Sequence, residues 1–480
     1  MRSSDKGLAS AYRAGAAAEK QLLPVYLLAL TIGLCVAARV IFAGFLSIIK
    51  TGDSRLFLRL ADNIRINFCY SASAVETHSC EPTWAQQPPG YPIILSLTRM
   101  VAGESDRAII WMQTVLFVLA ALYLCWVLYT WHRKPILLIV TIAVALFSPF
   151  SFGWSRAITT ELLSSVAVLL VFSEIARSIQ VREIRILSIC ISVICGMLAR
   201  WDMICLLVPV LLSAVLLYGL RNTLRRGMLI IAICALPYVG LMARAIAVGL
   251  PPIPTVLGGE ATLPAGIIRF IRVAALDERA IQNLLWPIGF RDYQDIPYST
   301  LDEYWAGIDL VRAAALLREL GQLPSGQTVP SSLDNEFLSL ASSGSKDWFG
   351  TYVEVPLLRA KRMWLRWLKD SSSWVAFPSR GRSGLIRYAF FAYSLVVLGG
   401  LLAVTFSRDY FLRILAIAAL SFVLARTAFL VSVPITALEV RYLDPFFPMI
   451  DVIAICSLWC VAKSRTLPGT RRFADGELSG

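Results

Sequence analysis

Histidine is almost missing from this chain: there are two in 480 residues. No Cys-x-x-Cys pair and no His cluster occurs, which removes the usual sequence signs of a zinc site. Charge is scarce as well. Asp, Glu, Lys and Arg make up 16% of the residues, against about a quarter in an ordinary soluble domain. Acid is scarcer than base, 32 residues against 45, for a net charge of +13. The N-terminus is expected to carry no cleavable signal, since its first apolar run is too long for one and lacks a clear cleavage site.

What fills the chain instead is apolar sequence. Hydrophobic residues reach 57% and the mean hydropathy is +0.67. Many runs approach the roughly 20 residues that cross a bilayer as a helix. Backbone amides in lipid need internal partners, which leaves helices for runs of this length. The expectation is an all-α polytopic membrane protein of about ten transmembrane helices with a long extracytoplasmic loop region.

The basic residues cluster in short loops, which sets topology. Arg133 with Lys134, then Arg177, Arg182 and Arg185, then Arg221, Arg225 and Arg226, mark inside turns. Both termini then lie in the cytoplasm, in a cell's inner (plasma) membrane. Membrane lipids are the expected partner of this charge, and nucleic acid is not. Three regions follow: a transmembrane core at 1–250 with a first outer loop at 50–107, an extracytoplasmic region at 251–385 with a basic, Trp-rich juxtamembrane helix, and C-terminal spans with a cytoplasmic tail at 386–480. The apolar block at 186–220 is too long for one span, and Arg200 and Asp202 break it at an outer turn.

The same scheme puts Asp53, Arg156, Glu161, Arg200, and Glu439 with Arg441 on the outer face, all at span ends. Asp53 opens a segment whose apolar residues at 57, 60, 61 and 64 make one helix face. An Asp there also serves as a helix cap, and the two roles are compatible. Glu161 suits the positive end of a helix dipole. Arg200 and Asp202 are an ion-pair candidate. Tyr442 fits an aromatic belt. Pro88-Pro89-Gly90-Tyr91-Pro92 makes a rigid turn into a short apolar segment, interfacial or re-entrant. Cys69 and Cys80 share a polar loop and can pair if it faces an oxidising compartment. The other eight cysteines lie in apolar runs and read as small hydrophobes.

Gly52-Asp53-Ser54 with Phe57-Leu58 and Leu60-Ala61, followed by Gln87-Pro88-Pro89-Gly90-Tyr91-Pro92, resembles the first loop of the GT-C glycosyltransferases. That superfamily includes protein O-mannosyltransferases, aminoarabinose transferases and lipopolysaccharide-modifying transferases. Arg156 to Glu161, Gly196-Met197-Leu198-Ala199-Arg200, and Glu439-Val440-Arg441-Tyr442-Leu443-Asp444-Pro445 resemble further pieces of it. The resemblance implies a polyprenyl-phosphate sugar donor, an envelope acceptor (lipid, glycan or protein) and inverting transfer. It implies Asp53 as general base with Glu161 assisting. It implies Arg200 and Arg441, then Arg59 or Arg156, on the donor phosphate, and Tyr91 and Tyr442 in substrate binding. Ser54 stands where the motif often has a second acid, which argues against a paired-carboxylate or metal-dependent reading. No cofactor is expected, with a divalent metal left open. The alternative is a transporter or flippase of lipid-linked sugars, which would want charges buried mid-span.

Overall fold

The computed structural model describes residues 28–50, 52–78, 80, 88–247, 330–344, 383–406, 409–432 and 444–466, with isolated positions between 266 and 364. Among the described residues the regular structure is helical, apart from one isolated parallel bridge between Ile49 and Ala157.

In chain order the helices are α1 (Leu28–Phe45), α2 (Gly52–Asn67), α3 (Gly90–Ala102), α4 (Asp106–His132), α5 (Pro135–Phe147), α6 (Pro149–Trp154), α7 (Glu161–Val181), α8 (Ile186–Ala199), α9 (Leu207–Ala247), α10 (Ser331–Gly344), α11 (Ser383–Thr405), α12 (Tyr410–Ser432) and α13 (Phe447–Thr466). Among the described residues five stretches are long and apolar enough to cross a membrane: α1, α4, α7, α12, and 201–247, which is α9 with the 3₁₀ turn Trp201–Leu206 before it. The shorter apolar helices are Pro135–Phe147, Ile186–Ala199, Leu395–Thr405 and Phe447–Cys460.

The block at 186–220 divides as expected. Helix α8 ends before Arg200, the 3₁₀ turn carries Asp202, and Gly219 (φ 75°) kinks α9. A side chain at Gly219 would be strained, because only glycine enters that region freely.

Helix α7 is buried on nearly every side and forms the centre of the bundle. It packs on α4, α8, α12, α13 and the short turn Asp444–Phe446. Helices α4 and α7 run parallel. Tyr123 meets Glu174 near their C-terminal ends, and Gln180 donates to the Val127 carbonyl at 2.7 Å. Both stop at an arginine in the left-handed region, Arg133 (φ 51°) and Arg182 (φ 52°), whose N–H closes the last turn. These basic caps mark one end of the bundle.

Helices α2 and α3 form an amphipathic pair at the other end. In α3, Tyr91, Leu95 and Arg99 are buried at a four-residue spacing, while Ile93, Leu97, Met100 and Val101 point outward. Arg99 pairs with Asp62 of α2. With 13 residues, about 20 Å long at 1.5 Å per residue, α3 is too short to span.

One expectation needs correction. The charges do not all sit at span ends. Arg39 in α1, Arg426 in α12 and Asp451 in α13 lie inside apolar helices and are fully buried. Polar partners make this possible. Ser148, at the break between α5 and α6, donates to Asp451 Oδ2 at 2.8 Å. Ser151 donates to the Ser148 carbonyl, and Arg39 donates to the Ser151 carbonyl and the Ser155 hydroxyl.

Candidate active site

The first loop is stitched to the turn between α6 and α7. Ile49 N–H donates to the Arg156 carbonyl at 2.9 Å, and Ile158 N–H donates back to the Ile49 carbonyl at 3.3 Å. Ser54 Oγ donates to the Ile158 carbonyl at 2.8 Å. Arg156 Nη1 donates to Ser47 Oγ at 3.3 Å. So the residue after Asp53 is fixed to the turn that leads into Glu161.

Asp53 is the second residue of α2 and half-buried. It lies in the first turn rather than at the cap, where the helix dipole favours a carboxylate. Ser54, Phe57, Leu60, Ala61 and Asn63 face inward along α2. Arg59 faces the other way. It is exposed and donates to the Ala72 carbonyl within its own loop, so it is not part of the cluster. The cause is spacing: position 59 falls opposite 54, 57 and 61 on a 3.6-residue helix.

Tyr91 is fully buried. Its hydroxyl donates to Gln113 Oε1 at 3.2 Å, and Gln113 Nε2 donates to the carbonyls of Ser155 and Ala157 at 3.2 and 2.8 Å. The ring stands edge-on to Phe57 with centroids 5.1 Å apart. Burial, with the Glu161 charge nearby, raises the Tyr91 pKa well above its ordinary value. Its hydroxyl therefore stays a hydrogen-bond donor and does not ionise. That makes Tyr91 a pillar beneath the site.

Glu161 is 2% exposed at the first position of α7. Its Oε1 accepts from Arg200 Nη1 at 3.2 Å, and the same nitrogen reaches Thr160 Oγ1 at 3.3 Å. Arg200 Nε donates to Asp202 Oδ1 at 3.0 Å. Asp202 Oδ2 in turn accepts from Arg426 Nε and Nη2 at 3.0 and 2.8 Å. The result is a buried line of alternating charge, Glu161, Arg200, Asp202 and Arg426, drawn from α7, the α8 end, the 3₁₀ turn and α12. Arg156 is 5% exposed, and burial lowers its pKa. It ties the turn to Ser47 and so braces the loop.

Beside this line is a cavity of about 330 Å³, lined by Ile64, Phe68, Tyr70, Trp201, Leu241 and Arg244 among others. Its walls are apolar, with Arg244 as the lining cation. Arg244 donates to the Tyr70 carbonyl at 3.3 Å. The Tyr70 wall is held by the Cys69–Cys80 disulfide, and Asn63 Nδ2 donates to the carbonyls of Ser71 and Ser73. A volume of roughly 300–1,000 Å³ suits a small ligand or one end of a larger one.

The structure thus brings Glu161, Arg200, Arg156 and Tyr91 to one end of the bundle, with α2, which carries Asp53 in its first turn, docked there. Glu439, Arg441 and Tyr442 lie outside the described residues. Sequence reasoning missed Arg426, Gln113, Arg244 and the cavity. A lone arginine in an apolar run was the available signal for Arg426. Among the described residues no group of three or more His, Cys, Asp or Glu side chains is arranged to hold a metal ion. Comparison with known protein families, with curated proteins and with solved structures returns no match.

Proposed function

We propose that the chain is an integral membrane glycosyltransferase of GT-C type. It moves a sugar from a polyprenyl-phosphate carrier to an envelope acceptor on the extracytoplasmic face of the inner membrane, with both termini in the cytoplasm. The observation that carries this reading is the Glu161–Arg200 pair, at the bundle end opposite the basic caps, where α2 with Asp53 in its first turn is docked.

The reaction follows from group chemistry. Asp53 takes the proton of the acceptor hydroxyl, whose oxygen attacks the anomeric carbon. The carbon–oxygen bond to the carrier phosphate breaks, and its electron pair leaves with the phosphate. One displacement inverts the centre. Arg200 stabilises the charge gathering on the leaving phosphate. Glu161 orients Arg200. The cavity at Arg244 suits the apolar chain next to the phosphate, with the bilayer beyond it.

Membranes holding the protein, given a radiolabelled polyprenyl-phosphate sugar, are expected to consume the donor, and Asp53→Asn membranes are not. Equal consumption by Asp53→Asn would refute the catalytic assignment. A second reading, a transporter or flippase of lipid-linked sugars, is favoured by Arg39, Arg426 and Asp451 buried within apolar helices. It predicts movement of the labelled donor across the bilayer without its consumption.

A further inference from the structure

Arg426 has no place in the reaction above, and it is 0% exposed. It cannot touch a donor from there. Yet both of its hydrogen-bonding nitrogens reach one oxygen of Asp202, whose other oxygen holds Arg200. Asp202 is therefore shared between two guanidinium groups. We propose that Arg426 is a positioning residue, which occupies half of Asp202 so that Arg200 stays oriented and its charge stays available to an anionic phosphate. This role rests on the functional reading given for Arg200.

The charge arithmetic of the line supports it. Glu161 and Asp202 supply two negative charges, and Arg200 and Arg426 two positive ones, so the four residues sum to zero. Without Arg426 the sum is −1. Both carboxylates would then bear on Arg200, and the line that an incoming phosphate meets would be net negative. A buried charge is felt strongly because little water screens it. Geometry adds to this. The fork of Arg426 fixes Oδ2, the carboxylate plane then fixes Oδ1, and Oδ1 sets where Arg200 Nε can lie. The Arg426 guanidinium is itself held 6.0 Å over the Phe446 ring, and its Nη1 has no hydrogen-bond partner. Its pairing is thus directed at Asp202.

A plain structural tie between α12 and the 3₁₀ turn would use the same bonds, so the test must separate the two. Purified protein in nanodiscs is titrated with decaprenyl phosphate as the probe. Arg426→Gln is expected to weaken binding by about tenfold or more. Arg426→Lys keeps the charge but loses the fork, and is expected to bind between the unaltered protein and Arg426→Gln. The pair Asp202→Asn with Arg426→Gln restores the zero sum and is expected to recover most of the affinity. A mere tie predicts that the double variant binds no better than Arg426→Gln. If Arg426→Gln does not fold, the double variant carries the test, and a tenfold loss in it overturns the role. If the unaltered protein binds no decaprenyl phosphate, the lipid-carrier reading falls and this role with it. If it binds, and Arg426→Gln binds as tightly, only the positioning role falls.

Discussion

Gly90 rests against the backbone of Leu198. A methyl group at Gly90 would come 2.6 Å from the Leu198 carbonyl oxygen and 2.8 Å from its carbonyl carbon. Two stretches singled out in the sequence, Pro88 to Pro92 and Gly196 to Arg200, meet at this point. The contact sets where α3 begins relative to the end of α8, and therefore where Tyr91 stands relative to Arg200. Gly90→Ala is expected to push α3 away, at about 1–3 kcal/mol by the usual scale for overpacking. Gly240→Ala is the control, since nothing lies within 4 Å of a methyl group there. Thermal unfolding in detergent compares them: Gly90→Ala falls, Gly240→Ala does not.

Stability and activity are expected to separate at the two acids. Glu161 is buried and paired with Arg200. Glu161→Gln takes from Arg200 the carboxylate it shares the site with, and losing one partner of a buried pair costs about 3–5 kcal/mol as an upper range. Asp53 is half-buried in the first turn of α2, where a dipole contact contributes about 0.3–1 kcal/mol. Asp53→Asn is expected to unfold almost as the unaltered protein does, yet to abolish donor consumption. Paired measurements of melting temperature and radiolabel turnover check this. A stable, active Glu161→Gln protein would remove Glu161 from the site.

The sequence showed some of this and hid the rest for physical reasons. Helices were legible because lipid-length apolar runs admit little else. The break at Arg200 and Asp202 was legible because two charges interrupt an apolar block. The resemblance put Arg59 among the phosphate ligands, while its exposed place on α2 sets it apart from the buried cluster. What periodicity cannot carry is partnership at a distance. Asp202 and Arg426 are 224 residues apart, and Ser148 and Asp451 are 303 apart. Each lone charge in an apolar run announced that a partner was needed, but not which one. The cavity was invisible because its walls come from α2, the start of α3, the 3₁₀ turn and the end of α9 at once.

Arg244 gives a third test. It ties the end of α9 to the Tyr70 carbonyl and lines the cavity. Arg244→Gln is expected to raise the KM for the lipid-linked donor several-fold while kcat changes little, because the contact lies along the carrier and away from the anomeric carbon. Burial raises the Tyr70 pKa and Arg244 opposes that rise, as expected of close neighbours in the cavity wall. A fall in kcat with KM unchanged would move Arg244 from carrier binding to the reaction itself.

The last prediction concerns which side of the membrane the site faces. Cys69 and Cys80 are joined, and a disulfide persists in an oxidising compartment. They sit at the bundle end that holds Glu161. Cys460 marks the opposite end, with its Sγ 3.6 Å from His132 Nε2 at the close of α4. In intact cells treated with a membrane-impermeant reductant, an impermeant maleimide is expected to label Cys69 and Cys80. Cys460 should be labelled only after the cells are permeabilised. Peptide mass spectrometry assigns the label to each cysteine. The reverse pattern would put Asp53 in the cytoplasm, where nucleotide sugars are available as donors, and the reason for invoking a lipid carrier at this site would be gone.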